Sequence, residues 1–136
     1  MREINQIIIH CSATRPNQDI GVDTIRKWHV EGNGWSDIGY HEVIRRNGLI
    51  EAGRPHSKAG AHAKGHNKNS IGICLVGGVD KNNNAQFNFT RAQLMSLLGL
   101  VDGLKQKYPK AKVIGHNSVS SKECPSFDVA ALFSKK

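Results

Sequence analysis

The sequence predicts an α/β fold: a single domain in which helices pack against the faces of a central mixed β-sheet. Three observations carry this expectation. Ile7-Ile8-Ile9 and Ile71-Gly72-Ile73-Cys74-Leu75-Val76 are short apolar runs of the kind that form buried strands. Leu94, Leu97, Leu98, Val101, Leu104 and Tyr108 trace one face of a long helix. Asn47-Gly48 sits between two β-type arms and is a residue pair that closes hairpins. At 136 residues the chain has material for one core, so residues 1–136 are expected to form one domain.

The elements follow in order. Residues 4–10 form a buried strand bounded by the polar, Pro-containing stretch 12–19, which puts His10 at the strand's C-terminal end. Val22, Ile25 and Trp28 recur at helical spacing, so a helix is expected over 22–31, with Trp28 in its core face and Gly32-Asn33-Gly34 as its stop. Residues 40–46 and 49–52 are the hairpin arms, the first opened by Tyr40. Residues 54–70, rich in Gly, His, Lys and Asn and without periodicity, form a long surface loop, and loops of that length commonly carry function. A strand over 71–76 ends at Gly77-Gly78, and a polar insert, 80–88, follows. Thr90 and Gln93 have capping-box spacing at the start of the long helix, and Pro109 ends it. A short strand, 112–115, delivers His116, and 129–133 makes a terminal helical turn.

Composition excludes several function classes. No window approaches the eighteen or so apolar residues of a membrane span, so no membrane insertion is expected. No secretory signal is visible at the N-terminus, so the protein is expected in the cytoplasm on synthesis. The net charge of +8 favours polyanionic surroundings, either nucleic acid or an anionic wall. The basic residues are scattered and only 6% of residues are aromatic, too few for base stacking, so a nucleic-acid function is not expected. Three cysteines, Cys11, Cys74 and Cys124, have no close pair and favour reduced or metal-bound thiols over a disulfide framework.

The chemistry-bearing residues converge on a metal. His10 and His116 each end an apolar strand, and Cys124 lies eight residues beyond His116 across a turn-forming segment. Two imidazoles and a thiolate suit zinc, and three protein ligands leave a fourth position for water. Cys11 competes with His10, because neighbouring strand residues point to opposite faces and nothing local says which faces the site. Cys74, inside an apolar strand, is expected in the core.

His10-Cys11-Ser12-Ala13-Thr14, Gly39-Tyr40-His41, Glu51-Ala52-Gly53-Arg54, His62-Ala63-Lys64-Gly65, Asn69-Ser70-Ile71-Gly72, Leu75-Val76-Gly77-Gly78 and Cys124-Pro125-Ser126-Phe127-Asp128 occur in that order. Together they resemble the type 2 N-acetylmuramoyl-L-alanine amidases, to which peptidoglycan recognition proteins are similar in fold. The resemblance spans residues 7–133. It implies one Zn²⁺ held by His10, His116 and Cys124, with Tyr40 and Lys122 as catalytic residues. It further implies a bacteriolytic, endolysin-like hydrolase that cuts the amide between the muramic acid lactyl group and L-alanine in peptidoglycan, of phage or prophage type.

Trp35, His62, Lys64, Asn69 and Ser70 are expected to contact substrate. A phage member of the family also binds RNA polymerase through its N-terminal region. That region is short here, so little or no polymerase binding is expected, and the protein is expected to be a monomer. Asn117 stands where that phage member has a second histidine after the ligand.

Overall fold

The computed structural model describes residues 2–120 and 124–133. Five strands form one mixed sheet in the order β3-β2-β4-β1-β5. At its centre β1 (Gln6–Cys11) lies parallel to β4 (Ser70–Leu75) on one side and to β5 (Lys112–Gly115) on the other. β2 (Glu42–Ile44) continues the parallel set against β4, and β3 (Ile50–Ala52) closes the far edge as its antiparallel hairpin partner. The Asn47-Gly48 turn is where the sequence puts it: Gly48 N–H donates to the Arg45 carbonyl at 2.8 Å, and Leu49 N–H donates to Asn47 Oδ1 at 2.9 Å.

The central strands are apolar on both faces because both faces are covered. On one, Ile7, Ile9, Ile71, Ile73, Leu75 and Ile44 pack beneath Leu97, Val101 and Leu104 of helix α2 (Arg91–Lys107) and Val129 of α3 (Val129–Phe133). On the other, Val43, Cys74 and Val76 meet Ile38 and the Val22 and Ile25 side chains of α1 (Val22–Lys27). Cys74 is fully buried, as expected of a core thiol.

One expectation about this second face is corrected. After Lys27 the helix widens into a π-turn, Trp28–Gly32. The wider turn breaks the three-residue rhythm set by Val22 and Ile25, so Trp28 is 44% exposed instead of lying in the core. His29 turns inward in its place: its Nδ1 accepts the Gly39 N–H at 2.9 Å, and its ring lies against Trp35 and Tyr40.

Helix α2 begins on the expected capping box, with Thr90 Oγ1 accepting the Gln93 N–H and Gln93 Oε1 accepting the Thr90 N–H. Gln93 is fully buried and does more than cap. Its Nε2 donates to the Ile44 and Val76 carbonyls at 3.1 and 2.8 Å, and its Oε1 accepts from Arg46. It therefore ties the helix start to the ends of β2 and β4. The long loop before β4 is fastened by Arg54, whose guanidinium donates to the Asp37, Ile38 and Ala59 carbonyls. His41, 1% exposed, links loop and sheet: its Nδ1 accepts the Gly72 N–H at 3.0 Å and its Nε2–H donates to the Lys58 carbonyl at 2.8 Å.

Two predictions follow from these buried polar groups. Gln93→Ala strands several of its partners, each costing about 1–3 kcal/mol when left unpaired in the interior, so urea unfolding should show a loss of at least about 2 kcal/mol. Burial pushes His41 down to about 4, against the Lys58 carbonyl, which raises it. The unfolded chain then takes up a proton below about pH 6.5 that the folded chain refuses until about pH 4, so stability is full above that window and falls as pH drops through it. The His41 share is up to about 3 kcal/mol, and His41→Asn should be less stable near neutrality but flatter between pH 6.5 and 4. An equally steep decline in the variant would assign the loss elsewhere.

Candidate active site

Strand register brings the two imidazoles together. β1 and β5 pair up to Ile9 opposite Gly115, so the next residue on each, His10 and His116, emerge side by side with ring centroids 4.4 Å apart. His10 pairs with Cys74 across β1 and β4, and Cys74 packs on the α1 side of the sheet. His10 therefore faces that side, while Cys11 belongs to the cluster under α2. This resolves the choice between them in favour of His10.

Cys124 lies outside the sheet. A 3-10 turn, His116–Ser118, leaves β5, and Gly115 permits it: a Cβ there would lie 2.5 Å from Asn117 Oδ1 and 3.1 Å from Pro125 Cδ. The returning chain is held by Ser126 Oγ donating to the Gly78 carbonyl at 2.8 Å and by Asn117 Nδ2 donating to the Phe127 carbonyl at 3.2 Å. Phe127 packs edge-on against Phe87 and Phe89. Cys124 ends up over the tip of β1, where the Cys11 N–H donates to its Sγ at 2.9 Å. One ligand atom from each of His10, His116 and Cys124 then lies within 4.8 Å of the other two.

The Cys11 and Cys124 thiols are in mutual contact. Their mutual hydrogen bond holds Cys11 below the usual thiol value and, together with burial, pushes Cys124 above it. The Cys11 amide acts the other way on Cys124, since an N–H donated to sulfur stabilises the thiolate that a metal needs. Tyr40, in the loop before β2, lies with its ring 5.1 Å from that of His10, and its hydroxyl contacts the Cys74 thiol. Burial first, and then the neighbouring thiols, push Tyr40 well above its ordinary value, so its hydroxyl keeps its proton.

Beside His116 opens a cavity of about 490 Å³ whose lining includes Trp35, His62, Lys64, Asn67 and Ser120. Of the residues expected to contact substrate, Trp35, His62 and Lys64 line this cavity. Ser70 is buried, and its Oγ contacts His62 Nε2 at 3.2 Å. Asn69 is not part of the lining; its amide donates to the Glu3 carbonyl at 2.8 Å and holds the N-terminal segment. Lys122 lies outside the described residues. Sequence reasoning missed Asn67, whose Oδ1 accepts the His62 and Ala63 N–H groups, both at 2.9 Å, and so shapes the cavity floor. Nothing distinguishes it from the other loop asparagines in the sequence.

The chain matches a known family over most of its length. The family model for N-acetylmuramoyl-L-alanine amidase matches residues 1–127. The endolysin of Enterobacteria phage K11 is 49% identical over 128 residues, covering 94% of this chain and 84% of that protein. The N-acetylmuramoyl-L-alanine amidase LysC from Clostridium intestinale superposes with a TM-score of 0.82 at 29% identity, over 99% of this chain and 88% of that one. Drosophila PGRP-LB gives a TM-score of 0.80 at 28% identity, over 99% of this chain and 82% of the other. The chain belongs to the N-acetylmuramoyl-L-alanine amidase family.

Proposed function

We propose that this chain is a zinc-dependent endolysin that hydrolyses the amide bond between the lactyl group of muramic acid and the L-alanine of the peptidoglycan stem peptide. The observation that carries the reading is the meeting of His10, His116 and Cys124 within 4.8 Å beside an open cavity. Family membership and the phage endolysins at about half identity support the substrate class. The same endolysin relatives support action on the cell wall after release at lysis or by another export route, and among the described residues no helix is long and apolar enough to cross a membrane.

The donor set fits the metal. Two borderline nitrogens and one soft sulfur are a zinc combination, and three protein ligands are the pattern of sites that leave a position for water. When bound, zinc supplies an acidified water and an electrophile for the amide carbonyl. His10 and His116 would hold the ion through imidazole lone pairs, and Cys124 would hold it as a thiolate once its proton is lost. Tyr40, protonated and beside His10, serves as a hydrogen-bond donor that orients the water or passes a proton toward the departing nitrogen. Lys122, assigned by the family resemblance, adds positive charge where the carbonyl oxygen becomes negative. Trp35 offers a flat apolar wall to sugar or peptide, and the exposed Lys64 offers a cation for the carboxylates of the stem peptide.

Digestion of purified peptidoglycan tests the reaction. New free amino groups on L-alanine without new reducing sugar are expected, abolished by chelator and restored by zinc. In the same assay Tyr40→Phe should turn over at least about a hundredfold more slowly while still binding zinc, consistent with the usual share of proton-transfer catalysis. Reducing ends alone, or undiminished activity in chelator, would refute the reading.

A further inference from the structure

His10 is tied to the long loop through its ring. Its Nε2 lies 2.8 Å from His62 Nδ1, with the rings edge-on, and His62 Nε2 lies 3.2 Å from Ser70 Oγ. Each imidazole, when neutral, has one N–H and one lone pair, so the chain of contacts has two polarities. In one, Ser70 donates to His62 Nε2, His62 Nδ1–H donates to His10 Nε2, and the His10 proton sits on Nδ1. In the other, His10 Nε2–H donates to His62 Nδ1, His62 Nε2–H donates to Ser70 Oγ, and His10 keeps its lone pair on Nδ1. Only the second leaves His10 a lone pair for a metal while both hydrogen bonds stand.

We propose that His62 is a positioning residue: it holds His10 as the Nε2–H tautomer, fixes the rotation of that ring, and so commits Nδ1 of His10 to the metal. This rests on the zinc reading above. It gives His62 a role besides lining the cavity, and it differs from metal ligation, because the three-donor group contains His10, His116 and Cys124 and not His62.

The surroundings of His62 are built to hold it. The His62 and Ala63 N–H groups both end on Asn67 Oδ1, which fixes the backbone from which the ring projects. The ring lies flat over Gly72 of β4, where a Cβ would come within 2.6 Å of its Cγ and Cδ2, and a Cβ on Gly60 would come within 2.6 Å of Cδ2. Ser70, at the far end of the relay, is fully buried at the start of the same strand. Partners of this kind fix the tautomer and orientation of a ligating histidine, and their loss commonly weakens metal affinity 10- to 100-fold.

The test measures zinc dissociation constants by competition with a chromophoric chelator, with urea unfolding of each metal-free variant in parallel. His62→Ala should weaken zinc roughly 10- to 100-fold. His62→Asn should recover most of that loss, since Asn Oδ1 stands close to where Nδ1 stood and accepts the His10 Nε2–H. Gly72→Ala, which leaves every polar group of the relay in the sequence but displaces the ring, should weaken zinc as well. Cobalt(II)-substituted protein should keep the same thiolate-to-metal absorption and coordination number in His62→Ala as in wild type. Three results would overturn the proposal: zinc affinity in His62→Ala within about threefold of wild type, no recovery in His62→Asn, or a cobalt spectrum showing a lost ligand. A wild-type protein that binds no zinc would overturn the zinc reading along with it, whereas tight wild-type binding with an unchanged His62→Ala would sink only the role of His62.

Discussion

The register of β1 against its two parallel neighbours is the constraint on which the rest of the site depends. Pairing Ile9 with Gly115 sets His10 beside His116, and pairing His10 with Cys74 turns the imidazole toward the α1 face. Side chains alternate along a strand, so a slip of one residue would present Cys11 to that face and bury His10 under α2. The apolar demand prevents this. Ile7 and Ile9 fill the α2 face while fully buried Ile8 takes the other, and shifting them would put the imidazole among Leu97, Val101 and Leu104.

Cys124 is placed by different means. No ladder reaches it; it returns on an excursion whose anchors are Ser126 on the Gly78 carbonyl, Asn117 on the Phe127 carbonyl, and the Phe87, Phe89 and Phe127 rings. Two donors thus sit at strand ends and the third on a tethered loop. The same division holds across the cavity. His62 is locked by Asn67 and Gly72, while Lys64, two residues on, is exposed.

Much of this architecture is legible in the residues. The isoleucine runs mark β1 and β4 because strands buried on both faces need apolar side chains at every position. Asn47-Gly48 marks the hairpin, and Thr90 with Gln93 marks the start of α2. Other features depend on contacts distant in the chain. The π-turn at Trp28–Gly32 inserts its extra residue to bring His29 onto Gly39, and helical spacing alone therefore misplaces Trp28. The choice between His10 and Cys11 requires knowing which face α1 covers. Asn69 and Ser70 look alike in a polar loop, yet one holds Glu3 and the other contacts His62, because β4 begins between them.

The chemistry of the site depends on the identity of the group that His10, His116 and Cys124 share. X-ray absorption at the zinc edge, with metal content measured on the same purified sample, addresses that most directly. One zinc per chain, with two nitrogen scatterers, one sulfur and one further light atom in its shell, is the result predicted. A shell without sulfur, or protein that retains no zinc after purification in zinc-containing buffer, would contradict it.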